Sequence, residues 1–427
     1  MKVLVLGPGG REHAIIRALQ KDPQVTQVYS APGNAGIAQQ IPTYPINAQN
    51  PAEVITLAQQ LDIDLVVIGP EAPLVAGVAD ALRQEDIPVF GPDQEAATLE
   101  GSKAFAKEIM AEAQVPTALA KIAHTMEEAS EAIDSFGPPY VVKDDGLAAG
   151  KGVVVTHHRE EALAHAQACF DAGSHIIVEE YLDGPEVSLF VISDGERCIP
   201  LAPAQDFKRI FDQDRGANTG GMGAYSPLPW LPENFVQTVM ERVAQPTITH
   251  MKHRGTPFIG VLYCGLIITS RGIRVIEFNA RFGDPETQAV LARLKTPLGQ
   301  LLYSAACSRL DENTTLSWDS RYAVDVVMAA ENYPDTPRTG DVINGLDDFA
   351  DEEDLYVVHA GTTQQGQDVL TSGGRVLAVV GLGEDLAQAR ERAYEGVQRI
   401  SWQGAQYRQD IALAAVQQQI AVPQQYS

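Results

Sequence analysis

The first hundred residues constrain the fold most, because short, largely apolar runs alternate there with helix-like segments. The runs are Val3–Leu6, Val25–Tyr29, Leu65–Ile68 and Val89–Phe90, and between them lie Glu12–Gln20, Ala52–Gln60 and Leu74–Arg83. Strands without polar alternation are those buried on both faces, and the intervening helices supply the cover. The rhythm therefore predicts a parallel sheet with helices on both sides. Gly91-Pro92-Asp93 closes this unit. A chain of 427 residues is too long for one core, and about three compact units are expected.

Beyond it, a helix is expected from Lys103 to about Ala113. Tyr140–Lys143 and Val153–Thr156 then form an antiparallel pair around a glycine-rich loop, followed by a helix at Glu160–Phe170, which together read as a small lid. Ile176–Glu180, Glu186–Ser193, Gly260–Thr269 and Ile273–Asn279 read as a second, larger sheet, with helices at Glu233–His250 and Pro285–Leu294. The last hundred residues add strands Ala323–Met328, Leu355–His359 and Val376–Val380 and an amphipathic helix, Glu384–Ile400, before a Gln-rich tail.

Composition excludes several functions. The formal charge of −25 leaves no general basic face for nucleic acid or an anionic membrane, so any phosphate site is local. No apolar run approaches the roughly 18 residues that cross a bilayer. The four cysteines (169, 198, 264 and 307) have neither zinc nor disulfide spacing. The chain enters a strand at once without a leader-like pattern, and a cytoplasmic protein is the expectation.

Several segments carry chemistry. Gly7-Pro8-Gly9-Gly10-Arg11-Glu12 joins the first strand to a helix, where backbone N–H groups can meet an anion. It is not a dinucleotide fingerprint: Glu12 stands where the third glycine belongs, and the second strand ends without the ribose-binding acid. Asp145 to Gly152 is a flexible loop suited to folding over phosphates, but Gly152 after Lys151 rules out a Walker A loop. Lys103 and Lys143 are its natural phosphate partners. Glu179-Glu180-Tyr181-Leu182 leaves a strand in a shape suited to a purine edge, with Glu186 for ribose hydroxyls. The loop Asn218 to Tyr225, after Asp206 and Lys208, is dense in glycine, a composition that serves sites. On the strand Ile276 to Asn279, Glu277 and Asn279 share a face with Arg281, while Ile276 and Phe278 point to the core. A carboxylate beside an amide oxygen suits Mg²⁺ or Mn²⁺ carried with nucleotide phosphates. No histidine pair or nucleophile motif suggests covalent catalysis, and His359 and Arg375 are expected in ordinary surface roles.

Taken together, Gly7–Ala14, Ala31–Gly36, Gly69–Leu74, Glu100–Phe105, Asp145–Gly152, Asn218–Pro227 and Glu277–Gln288 resemble the ATP-grasp superfamily. Within it they are similar to the phosphoribosylamine–glycine ligases over nearly the whole chain. The resemblance implies a mixed α/β and α+β multidomain fold. Its parts would be a Rossmann-like domain (1–102), an ATP-grasp region (103–322, lid about 118–181) and a small C-terminal domain (323–427). It implies ATP-dependent joining of glycine to 5-phosphoribosylamine in purine synthesis, with glycyl phosphate as intermediate; another carboxylate–amine ligase or carboxylase of that superfamily is the alternative. By the same resemblance ATP meets Lys103, Lys143, Gly146, Gly150, Lys151, Gly152, Glu179, Glu180, Tyr181, Leu182 and Glu186. The metal meets Glu277 and Asn279. The other substrates meet Gly9, Gly10, Arg11, Asn34, Glu71, Asp206, Lys208, Asn218, Gly221, Met222, Arg281 and Asp284, with Lys143, Arg281 and Asp284 acting at the reacting groups. A monomer is expected, free of nucleic acid and membrane, with at most transient contact to neighbouring pathway enzymes.

Four positions depart from the family pattern. Asp144 adds an acid beside Asp145, Phe170–Gly173 looks like a shortened lid segment, Phe207 stands where histidine is common, and Leu262–Thr269 offers no second metal carboxylate.

Overall fold

Val3, Leu4, Val5 and Leu6 have no exposed surface, because the strand they form lies at the centre of a parallel sheet. The structure is a computed structural model that describes residues 1–146, 152–311, 313–349 and 352–423. Strands β1 (Lys2–Gly7), β2 (Gln27–Pro32), β3 (Leu65–Ile68) and β4 (Val89–Phe90) pair in the order β2-β1-β3-β4. The order reverses beside β1, so the carboxyl ends of β1 and β3 open a crevice of the kind where such sheets bind ligands. One expected helix is broken in two, Glu71–Val75 and Val78–Gln84, because Gly77 adopts a left-handed φ of +75° between them.

The lid is a four-stranded antiparallel sheet of β5 (Ala120–Ala123), β6 (Tyr140–Asp144), β7 (Val153–Thr156) and β8 (Ile176–Glu179), in the order β5-β8-β6-β7. Helices Met126–Phe136 and Arg159–Asp171 bury Ala129, Ile133, Ala162 and Ala166 on it. β8 was expected in the larger sheet; it instead pairs with both β5 and β6 and completes the lid. The segment Phe170–Gly173 closes the second helix: Gly173 has φ +83° and its N–H reaches Phe170 O at 2.9 Å.

The body sheet runs β10-β9-β15-β16. β9 is Glu186–Asp194 and β10 is Cys198–Pro200. β11 (Gln205–Asp206), the β12–β13 ribbon (Arg209–Phe211 and Arg215–Asn218) and β14 (Gly223–Ser226) follow, then β15 (Ile259–Thr269) and β16 (Gly272–Asn279). The expected helix at Glu233–His250 is instead Phe235–Val239, a wide π turn at Met240–Ala244 and Gln245–His253. Pro246 has no N–H to continue the ladder, which accounts for the irregular turn before it.

β17 (Tyr322–Ala329), β18 (Leu355–His359) and β21 (Arg375–Gly383) follow in the C-terminal part, with a small hairpin of β19 (Thr362–Gln365) and β20 (Asp368–Thr371). The five-stranded sheet has the order β11-β14-β17-β21-β18, so two strands from residues 205–226 belong to it. It thus spans the expected boundary at 322/323 and draws the glycine loop toward the crevice. No described helix is long and apolar enough to cross a membrane.

Candidate active site

The floor of the crevice is the turn after β1. Helix Gly10–Gln20 starts there, and the fully buried Glu12 supplies its anion: Oε2 accepts the Gly9 N–H at 2.6 Å and Oε1 takes Arg11 Nε at 2.6 Å. That is the physical reason the dinucleotide reading fails, since the helix N terminus is already satisfied. Gly69 is obligatory, because a Cβ there would lie 2.0 Å from Glu12 Oε1. Gly10 lies close to Gln288, and Arg11 gives its N–H to Asp284 Oδ2 at 3.2 Å and its Nη1 to Phe282 O at 3.0 Å. Asn34 differs from the expected substrate ligand. Its Nδ2 donates to Pro8 O and His359 O, and its Oδ1 caps Ile37, so the side chain is spent on holding three segments together.

The wall is β16 and its continuation. Gly265 of β15 faces Glu277, and a Cβ at 265 would sit 3.1 Å from Glu277 Cγ, so glycine keeps space around the carboxylate. Burial pushes Glu277 up, but Lys208, Lys143, Lys103 and Arg281 around it outweigh that and hold it below the usual range. An anion amid four cations is a site built for further negative charge. Ile276 is only half-buried, not core-facing as expected, because the register shifts between Gly265 and Leu266 and Val275 takes the buried position. Arg281 spans two carboxylates, Glu100 Oε1 at 2.9 Å and Glu71 Oε2 at 3.6 Å, while its Nε, buried, has no hydrogen-bond partner. Glu100 also accepts the Ala280 N–H at 2.8 Å, and burial raises its pKa. Asp284 meets Gln288 Nε2 at 2.8 Å and Arg375, whose Nη1 also reaches Asp284 O at 2.6 Å.

The roof is the lid. Lys103 Nζ donates to Gly146 O at 2.9 Å, and Asp145 caps the Lys103 helix through the Ala104 N–H. Burial lowers the pKa of Lys103. Lys143 Nζ lies 2.7 Å from Glu179 Oε2 and 3.4 Å from Ile276 O. Glu179 was expected beside adenine, yet its carboxylate is buried between Lys143 and Lys107, leaving only backbone for a base. Glu180 ties the two lid connections, accepting the Leu119 N–H and Arg271. Tyr181 is exposed and Leu182 half-buried beside it. Glu186 pairs with Lys208 at 2.7 Å. Asp144 bonds Ser174 and the Gly146 N–H, so it shapes the turn. Gly152 closes the loop by accepting the Asp144 N–H at 2.7 Å; Gly150 and Lys151 lie outside the described residues.

The third side is the glycine loop. Gly221 has φ +114°, and a Cβ there would strike Pro285 and Asp206 Oδ1 at 2.3 and 2.6 Å. Arg375 Nη1 donates to Gly220 O at 2.7 Å, so this arginine is no surface residue: it bolts the loop to Asp284. Burial, then Glu286, raises Asp206 well above the usual carboxylate range, and its buried Oδ1 has no partner. Asn218 is half-buried on β13, paired with Arg209. Met222 is fully buried in an apolar cluster, so its side chain does not face a substrate as expected. Phe207 packs with Tyr225 and lies 5.0 Å from the Arg408 guanidinium, an apolar and cation–π role that histidine need not fill.

Three family models match in order: the phosphoribosylglycinamide synthetase N domain at residues 1–100, its ATP-grasp (A) domain at 101–287 and its C domain at 323–414. A phosphoribosylamine–glycine ligase of Streptomyces coelicolor is 59% identical over 417 residues, covering 97% of this chain and 99% of that one. The chain belongs to the phosphoribosylamine–glycine ligase family. The crystal structure of the phosphoribosylamine–glycine ligase from Thermotoga maritima superposes with a TM-score of 0.83 at 33% identity, covering 96% of this chain and all of that one. The biotin carboxylase domain of a Hydrogenobacter thermophilus 2-oxoglutarate carboxylase, solved with MgADP, shares the fold at a TM-score of 0.72 and 17% identity. As an ATP-grasp ligase of this family, the protein uses ATP with a divalent metal. Sequence reasoning missed Glu100 as the partner of Arg281 and Lys107 as the second lysine on Glu179, because both pairs form only where distant segments meet.

Proposed function

We propose that the chain joins glycine to 5-phosphoribosylamine at the expense of ATP, giving glycinamide ribonucleotide, ADP and phosphate through glycyl phosphate. One observation carries this reading: Glu277, surrounded by Lys103, Lys143 and Lys208, lies on the strand that runs directly into Arg281 and Asp284. A phosphate site and an acceptor site thereby share one rigid element. Glu277 and Asn279 fit Mg²⁺ or Mn²⁺, as two hard oxygen donors beside the space Gly265 leaves, and the ion would neutralise charge between phosphates.

Glycine's carboxylate must approach the γ-phosphate against anionic repulsion, and Lys103, Lys143 and Lys208 offset that charge while holding the groups in line. Adenine lies along the backbone of Glu179–Leu182, and Glu186 takes ribose once Lys208 turns to phosphate. Arg281 holds the glycine carboxylate, its Nε lying 3.6 Å from Glu71 Oε2 without a hydrogen bond to it, and Asp206 and Asp284 face the amine of phosphoribosylamine near Gly9, Gly10 and Gly221. That amine attacks the acyl carbon and phosphate leaves. The lid excludes water that would hydrolyse the acyl phosphate. The protein acts as a cytoplasmic monomer, in line with its charge of −25 and free thiols. ADP release should require glycine and phosphoribosylamine together; release indifferent to glycine but dependent on bicarbonate or formate would overturn the assignment.

A further inference from the structure

Lys107 has no part in the reading above, yet it sits where the chain enters and leaves the lid. Its Nζ, on the helix Lys103–Glu112, donates to Thr117 Oγ1 at 2.8 Å and Ala118 O at 3.1 Å, and lies 2.8 Å from Glu179 Oε1. Thr117 is itself fastened to β16, its Oγ1 donating to Val275 O at 2.7 Å. An ammonium has three protons, so Lys107 is fully satisfied where it stands. Lys143 shares the same carboxylate on its other oxygen, at 2.7 Å, and among the described residues its one further hydrogen bond is the long 3.4 Å approach to Ile276 O. The two lysines are therefore unequal: one is fixed, the other is held by a single strong bond.

We propose that Lys107 is a positioning residue that lets Lys143 leave Glu179 for the phosphates of ATP. Glu179 is 4% exposed. If Lys143 departed from an otherwise lone Glu179, it would strand a buried charge, and ATP would have to offset that cost on binding. With Lys107 in place, the carboxylate keeps a partner throughout, and Glu179 stores Lys143 where its charge already acts on Glu277. Lys107 touches neither nucleotide nor reacting atoms in this account; it acts through Glu179.

The inference rests on the ATP-site reading, so the test measures nucleotide binding by calorimetry with MgATP and no acceptor. The parent chain binding MgATP is the control; failure there would undo the ATP-site reading itself. Lys107→Met should weaken MgATP binding by about tenfold or more. Adding Glu179→Gln to it should recover most of that loss, because no carboxylate then retains Lys143. A merely structural Lys107 would show no such recovery. Should Lys107→Met not fold, as judged by its circular dichroism and melting, Glu179→Gln alone decides the matter. It should bind MgATP at least as tightly as the parent. Parent-like binding by Lys107→Met, no recovery in the double variant, or weakened binding by Glu179→Gln alone would each overturn the proposal.

Discussion

Two buried histidines make stability of this chain fall steeply in mild acid, by an amount that follows from their surroundings. His13, on the first helix, accepts the His359 main-chain N–H on Nδ1 at 2.9 Å, so its proton sits on Nε2, 2.9 Å from the Gln40 amide, which must present its oxygen there. His359 rests against Thr362 and fills the space over Gly36, where a Cβ would lie 2.3 Å from its ring. Burial, followed by His359 and Arg17, lowers His13 from 6.5 to about 3; burial lowers His359 to about 4. Both groups are neutral in the folded protein and take protons on unfolding below pH 6.5. Their contribution is thus complete above about pH 6.5 and is lost as pH falls toward 4 and 3. At pH 5 each has cost about 1.5 × 1.36, or about 2 kcal/mol. Denaturant unfolding of the parent and of His13→Gln, each at pH 7.5 and 5.0, checks this. The variant should lose about 2 kcal/mol less between the two pH values, whatever its starting stability. Equal losses in the two proteins would refute the reasoning.

Two further substitutions separate chemistry from packing. Glu277→Ala should reduce turnover by about two orders of magnitude or more while the melting temperature moves little, as steady-state kinetics and calorimetry would show. Gly69→Ala places a Cβ against Glu12, whose carboxylate is held by the Gly9 N–H and Arg11. It should destabilise the chain by about 3 kcal/mol, visible as a lowered melting temperature.

What the sequence revealed and what it concealed divide along physical lines. The parallel sheet was legible because both-face burial leaves largely apolar runs, and Glu277 and Asn279 stood out as candidates because a polar pair ending an apolar strand conflicts with packing. The assignment of β8 was not, since Ile176–Glu179 suits either sheet and only its pairing with β5 and β6 decides. Nor could β11 and β14 be assigned to the C-terminal sheet, because the partner, β17, comes nearly a hundred residues later. Arg281 was visible as a cation but Glu100 was not visible as its partner, because chain order gives no sign that the two meet. For the same reason Glu179 read as a nucleotide ligand: nothing local shows that two lysines from separate elements already claim its oxygens. Asn34 and Met222 sit in site-like motifs but serve as a structural tie and a core residue.

The central claim is that glycine's own carboxylate is phosphorylated before the amine attacks it. Turnover with glycine labelled with ¹⁸O in its carboxylate tests it, with the released phosphate read by mass spectrometry. Attack on the γ-phosphate followed by displacement predicts one ¹⁸O atom in each phosphate formed. Unlabelled phosphate, with all retained label in the amide product and residual glycine, would contradict the account.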